Sequence, residues 1–164
     1  MDLSDYSMED LVLTALRAEV DAKEVYISMA KGVSNAYLKG RLCFLADEED
    51  KHRGYLDGLF RDQFPGREPV LPEATPVPMP EVSLPSEHVP ISTVFAQAME
   101  AEKAASDFYA SFAQRFEEGS DPSRMLMYFS KMEMGHYNLL KTERETAAQF
   151  EDFDEMWPLM HAGP

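Results

Sequence analysis

Residues 45–52 read LADEEDKH and set Glu49 and His52 three positions apart. On a helix, positions i and i+3 project to one side, so this carboxylate and this imidazole share a face. Leu38, Leu42, Leu45, Leu56 and Phe60 lie on that face too. At about 100° per residue, all of these positions fall within about 60° of one direction. A charged group in a line of leucines costs several kcal/mol unless something pairs with it. Residues 129–136, FSKMEMGH, repeat the arrangement with Glu133 and His136.

The chain around these two stretches divides into helical hairpins. Ser7 followed by Asp10 resembles a capping box and predicts a first helix from Met8 to Lys31, broken by Gly32. Its apolar stripe is Leu11, Ala15, Ala18, Ala22, Tyr26 and Met29, and Glu19 falls inside it. Ser34 is the expected cap of a second helix over 35–64, stopped by Pro65. The short turn at 32–34 makes the pair antiparallel. Glu19 lies 14 residues before Val33 and Glu49 lies 16 after it. At ~1.5 Å per residue the two carboxylates sit at nearly one level.

Residues 65–90 hold eight of the eleven prolines and read as an extended linker. At ~3.1 Å per residue it spans roughly 60 Å or more, against about 37 Å for a 25-residue helix. It is long enough to run the length of a bundle or to reach a second chain. Ser92 is the expected cap of a third helix, 93–118, ended by Gly119, with Phe95, Met99, Glu102, Tyr109, Ala113 and Phe116 on one stripe. Asp121 as cap and Pro122 as first helical residue start a fourth, running to about Phe150, with stripe Leu126, Phe129, Glu133, His136 and Leu140. The tail 151–164 is expected to form a short C-terminal helix ending before Pro158, since Phe153, Met156 and Trp157 continue from Phe150 at helical spacing. The fold class is all-α, an up-down four-helix bundle in a single domain over 1–164.

The two hairpins match. The first reads Glu19, six residues, Tyr26, 22 residues, Glu49, two residues, His52; the second reads Glu102, six residues, Tyr109, 23 residues, Glu133, two residues, His136. Two Glu-x-x-His pairs with one further Glu from each remaining helix give four carboxylates and two imidazoles. That is the ligand set of a dinuclear carboxylate site inside a four-helix bundle. Four carboxylates carry four negative charges, which two divalent ions neutralise. Mixed oxygen and imidazole ligands suit iron or manganese better than a thiolate-seeking metal. Without metal, the same groups would form a proton-sharing network that fixes helix register; the duplication favours metal. Tyr26 and Tyr109 are placed to hydrogen-bond the ligating carboxylates or simply to pack. Glu24, Glu48 and Glu100 neighbour the ligands but point off the stripes, and His88 and His161 read as solvated or locally paired. The eleven methionines read as core filler and an association surface.

Composition narrows the partners. Fifteen basic against 30 acidic residues give a net charge of −15, which argues against nucleic acid and anionic membrane. The start MDLSDYSMED has no apolar run and is not a signal peptide. No stretch approaches the ~18 apolar residues of a membrane span. Cys43 is the single cysteine; it permits no intrachain disulfide and no Cys-x-x-Cys site, and it fits a reducing cytoplasm.

At EVDAKEVY (19–26) with EEDKH (48–52), and EAEKAASDFY (100–109) with EMGH (133–136), the chain resembles the ferritin-like di-iron carboxylate superfamily, and within it the rubrerythrin-like proteins. The resemblance covers about residues 8–150. It implies a ferritin-like bundle with the crossover between helices two and three. It also implies two Fe ions, or Mn or Zn in their place, held by Glu19, Glu49, His52, Glu102, Glu133 and His136. The implied activity is an oxidoreductase reducing peroxide or dioxygen, or oxidising ferrous iron; the alternative is a non-catalytic protein that sequesters iron or another divalent metal. Rubrerythrins usually carry a rubredoxin domain with two Cys-x-x-Cys pairs, which this chain lacks, so the expected electron donor is a separate, rubredoxin-like protein. Their additional glutamate one turn after the third-helix ligand is Ala105 here. A homodimer is expected, with the hairpins paired within one chain or swapped between two.

Overall fold

The structure, a computed structural model, describes residues 1–82 and 91–160, the stretch 147–160 in its backbone. Among the described residues there are four helices and no strand: α1 (Met8–Gly32), α2 (Ala36–Gln63), α3 (Ile91–Ala113) and α4 (Asp121–Met160). The chain is an all-α four-helix bundle.

Local chemistry sets the helix ends. Ser7 Oγ accepts from the Asp10 amide at 3.1 Å, and the Asp10 carboxylate accepts from the Ser7 amide at 3.0 Å. This is the capping box read from the sequence. The cap of α2 is Asn35 rather than Ser34. Its side-chain oxygen accepts from both the Tyr37 and Leu38 amides, at 2.9 and 3.1 Å, satisfying two orphan donors at once. α3 begins at Ile91, so Ser92 lies inside the helix instead of capping it. It also ends earlier than expected, at Ala113. Beyond it the amides of Gln114, Arg115 and Phe116 bond carbonyls three residues back, the tighter turn common at helix ends. Gly119, at φ 76°, then reverses the chain in a conformation that costs glycine little. The cap of α4 is Ser120 rather than Asp121: its hydroxyl accepts from the Ser123 amide at 3.4 Å and its carbonyl from the Arg124 amide at 3.0 Å. Asp121 sits instead in the first turn, where the helix dipole favours a negative charge.

The expected separate C-terminal helix is not separate. α4 continues unbroken to Met160, and Pro158 falls within its last turn. No glycine or proline occurs between Gly135 and Pro158 to interrupt it. His88 and His161 lie outside the described residues, as do the side chains of Phe150, Phe153, Met156 and Trp157.

α1 packs along α2 and α3 along α4, while the two hairpins approach each other less closely. Within the second hairpin, the Ser106 hydroxyl donates to the Ser130 carbonyl at 2.7 Å, a close approach that small side chains permit. Between hairpins, Arg41 on α2 pairs with buried Glu143 on α4. The core splits into two apolar clusters. One gathers Leu11, Leu56, Phe60, Phe112 and Leu126; the other Met29, Leu42, Leu45, Phe95 and Leu140. Each buried leucine contributes roughly 1.5–3 kcal/mol. The Glu and His residues of the four stripes occupy the layer between the clusters.

After α2 the proline-rich crossover returns along the bundle. Val77 is buried in the first cluster, and its amide donates to the hydroxyl of fully buried Thr14 at 3.1 Å. Val82 packs on the second cluster. The crossover therefore passes the level of the polar layer. No helix among the described residues is long and apolar enough to cross a membrane.

Candidate metal centre

Each helix of the bundle delivers buried acid to the central layer: Glu19 from α1, Glu49 from α2, Glu102 from α3 and Glu133 from α4, with His52 and His136 one turn beyond Glu49 and Glu133. All six are at most 4% exposed, in a protein where such groups are rarely buried without a partner. The structure brings together every ligand candidate read from the sequence.

They assemble as two interlocked groups. Glu19, Glu49, His52 and Glu133 place one ligand atom each within 4.8 Å of one another, and so do Glu49, Glu102, Glu133 and His136. Glu49 and Glu133 belong to both groups. His52 Nδ1 lies 3.0 Å from Glu133 Oε1, 3.3 Å from Glu49 Oε2 and 3.5 Å from Glu19 Oε2. His136 Nδ1 lies 3.0 Å from Glu133 Oε2, 3.1 Å from Glu49 Oε1 and 3.7 Å from Glu102 Oε2. Each carboxylate of the central pair thus turns one oxygen to each histidine. The imidazoles face each other with centroids 5.9 Å apart, and Phe129 lies against the His52 ring at 4.2 Å.

The tyrosines tie the halves together. Tyr26 on α1 donates its hydroxyl to Glu102 on α3, and Tyr109 on α3 donates to Glu19 on α1. Each carboxylate that belongs to one group alone is held by the tyrosine of the opposite hairpin. The sequence placed both rings on the right stripe, but the exchange of partners depends on how the hairpins face. The ion pairs of Lys23 with Asp50 and Arg41 with Glu143, and the Thr14 contact with the crossover, had no periodic signal in the sequence. Of the acids read as lying off the stripes, Glu48 pairs with Lys51, Glu100 is exposed, and Glu24 lines a cavity that leads to the centre.

Electrostatics mark the centre as built for positive charge. Burial, then repulsion from Glu133, pushes the Glu19 carboxyl well up. The same two causes push Glu102 up to about 8. Burial pulls His52 down, but the neighbouring carboxylates of Glu133, Glu19 and Glu49 outweigh it and hold the imidazolium up to about 12. Against the same desolvation, Glu102, Glu133 and Glu49 raise His136 strongly. Burial, then the adjacent carboxylates, also keeps the Tyr26 and Tyr109 hydroxyls protonated, as donors.

Both carboxylate oxygens of Glu49, Glu133 Oε1, His52 Nδ1 and His136 Nε2 are buried without a hydrogen-bond partner among the described residues. An unsatisfied buried polar atom costs about 1–3 kcal/mol, and more when charged. A cation at the middle of each group would satisfy the oxygens of Glu49 and Glu133 together. The donor set and its orphaned atoms therefore fit a pair of divalent ions: Glu19 and His52 would hold one, Glu102 and His136 the other, and Glu49 and Glu133 both.

Comparison with known proteins agrees with this arrangement. A family model described as rubrerythrin matches residues 10–144. A solved structure of a hypothetical protein from Pyrococcus furiosus is 32% identical, with a TM-score of 0.82 over 91% of this chain and 95% of that one. No curated protein matches.

Proposed function

The chain belongs to the rubrerythrin family, and from that premise we propose that it is a di-iron oxidoreductase that reduces peroxide or dioxygen in the layer between its two apolar clusters. The observation that carries this reading is the sharing of Glu49 and Glu133 between two otherwise separate groups of ligands, with oxygens left unpartnered for two ions. Ferrous ions held by Glu19, Glu49, His52, Glu102, Glu133 and His136 would supply two electrons for reduction of a small oxidant, or for ferrous oxidation in an iron-handling role.

The residues of the chain perform the remaining tasks. Glu49 and Glu133 fix the spacing of the two positions because each turns one oxygen to each side. Tyr26 and Tyr109 lock Glu102 and Glu19 against rotation and pull their negative charge toward the hydroxyl protons. Phe129 and the two apolar clusters keep bulk water from the layer above and below it. The cavity between α1 and α3 reaches the centre, with Ala105 and Glu102 both in its lining. Electron delivery by a separate rubredoxin-like protein and assembly as a cytoplasmic homodimer complete the proposal. A rapid-mixing experiment tests it: anaerobic protein loaded with two ferrous ions should develop near-ultraviolet ferric absorption on meeting peroxide, faster than free ferrous iron. Oxidation no faster than free iron would refute it.

A further inference from the structure

A cavity of about 390 Å³ runs between α1 and α3 beneath the crossover. Its floor is the ligand layer, and Glu49, only 1% exposed, presents there a carboxylate whose two oxygens accept no hydrogen bond among the described residues. The walls include Ala18, Ala22, Ala98, Ala101 and Ala105 alongside Tyr26, Met79 and Val82, so short methyl side chains make up a good part of them. Ala18 and Ala22 belong to the apolar stripe of α1 yet are not fully buried, because they face this space. At ~30 Å³ per water the volume holds about a dozen, enough for a divalent ion with its hydration shell. The rim is acidic. Glu24 from α1 and Glu73 and Glu81 from the crossover are exposed there, and none has an ion pair among the described residues. The cation on the same rim, Arg17, is already neutralised by Asp21 at 2.7 Å.

We propose that this cavity is the entry route for hydrated divalent cations, and that Glu24, Glu73 and Glu81 steer them toward the ligands. The inference rests on the dinuclear reading of the centre but concerns residues outside the ligand set. Three unpaired carboxylates around a low-dielectric passage concentrate cations at its mouth and raise the rate of capture. The unpartnered oxygens of Glu49 then draw the ion inward as it sheds water. Helix pairing within each hairpin closes the α1–α2 and α3–α4 faces, and the two apolar clusters cap the layer at its ends.

The test measures loading, not turnover. Metal-free protein is mixed rapidly with Co²⁺, whose visible absorption reports carboxylate and imidazole ligation. E24Q/E73Q/E81Q should load about tenfold more slowly at low ionic strength, the lower end of electrostatic steering. The difference should shrink toward zero near 0.5 M salt, where screening is short-ranged. It should bind the same two ions at equilibrium. E117Q/E118Q/E145Q changes the net charge equally on exposed positions away from the cavity and should load like the unaltered chain. A22L narrows the passage without a charge change and should slow loading at every salt concentration. Equal rates for both triple variants, whether both slow or both normal, would overturn the proposal. If the unaltered chain binds no Co²⁺, the dinuclear reading falls and takes this route with it. Normal equilibrium binding with no rate difference sinks the route alone.

Discussion

Loading the centre with two divalent ions at pH 7 should release about four protons. The number follows from charge neutrality in a buried layer. Four carboxylates cannot remain ionised together out of water. In the metal-free protein, protons stand where the cations would. His52 is held up to about 12 and His136 is raised strongly, so each carries one. Glu102, pushed up to about 8, carries another at neutral pH; Glu19 is pushed well up too, and neutrality of the buried layer assigns it the fourth. Two divalent ions displace all four, because ligating carboxylates and imidazoles must be unprotonated. As pH rises through about 8 Glu102 loses its proton, and its share of the release should disappear. Were the same residues at their ordinary values, release at pH 7 would be only about half a proton in total. Calorimetric titration of metal into protein, repeated in buffers of different ionisation enthalpy, gives the count directly as a slope. With four protons displaced, the overall constant for binding both ions near pH 7 rises by about four orders of magnitude per pH unit, or about 5.5 kcal/mol. A release of one proton or fewer, with two ions bound, would refute the argument that the metal-free layer is neutral.

Other consequences are open to direct measurement. Glu49→Ala or Glu133→Ala removes a ligand from both groups and should leave almost no bound metal, whereas Glu19→Ala or Glu102→Ala should leave about one ion per chain by elemental analysis; equal losses from all four would contradict the shared geometry. Tyr109→Phe frees Glu19 and Tyr26→Phe frees Glu102, and each should weaken metal binding about tenfold in a competition titration with the fold intact by circular dichroism. In chelator, melting temperature should fall between pH 5.5 and 8.5. Glu102 has a folded value of about 8 above its ordinary 4.5, so its contribution is full below 4.5 and lost as pH rises through 8; that of His52 is full below its ordinary 6.5 and declines from there as pH rises toward about 12, which adds to the fall; a flat profile would count against the protonated centre. Thr14→Val strips the Val77 amide of its acceptor and should cost about 1–3 kcal/mol in denaturant unfolding, with little change in metal stoichiometry.

The helices were legible because each carries its own signal. Leu42, Leu45, Glu49, His52 and Leu56 recur at helical spacing, and all are buried. The helix ends were less so. Asn35 and Ser120 took the capping positions from Ser34 and Asp121, since neighbouring residue types compete within one turn and the backbone conformation chooses between them. The end of α4 was misplaced because the Phe150 to Trp157 run contains nothing to stop a helix, so Phe153, Met156 and Trp157 continue the same helix instead of starting another. Residues of the cavity rim were invisible as a set. Glu24, Glu73 and Glu81 lie on two different segments and share no spacing rule.

The sequence by itself determined the inventory of the centre: four glutamates and two histidines, set into apolar stripes at matching levels of two duplicated hairpins. It could do so because helical periodicity is a local property, and a buried charge in such a stripe demands a partner wherever the stripe packs. Only the tertiary structure decided which groups are shared, that each tyrosine holds the carboxylate of the opposite hairpin, and that the layer opens between α1 and α3 under the crossover. Those facts depend on the relative position of helices far apart in the chain. That position is set by packing of whole faces, which no single stretch of residues encodes.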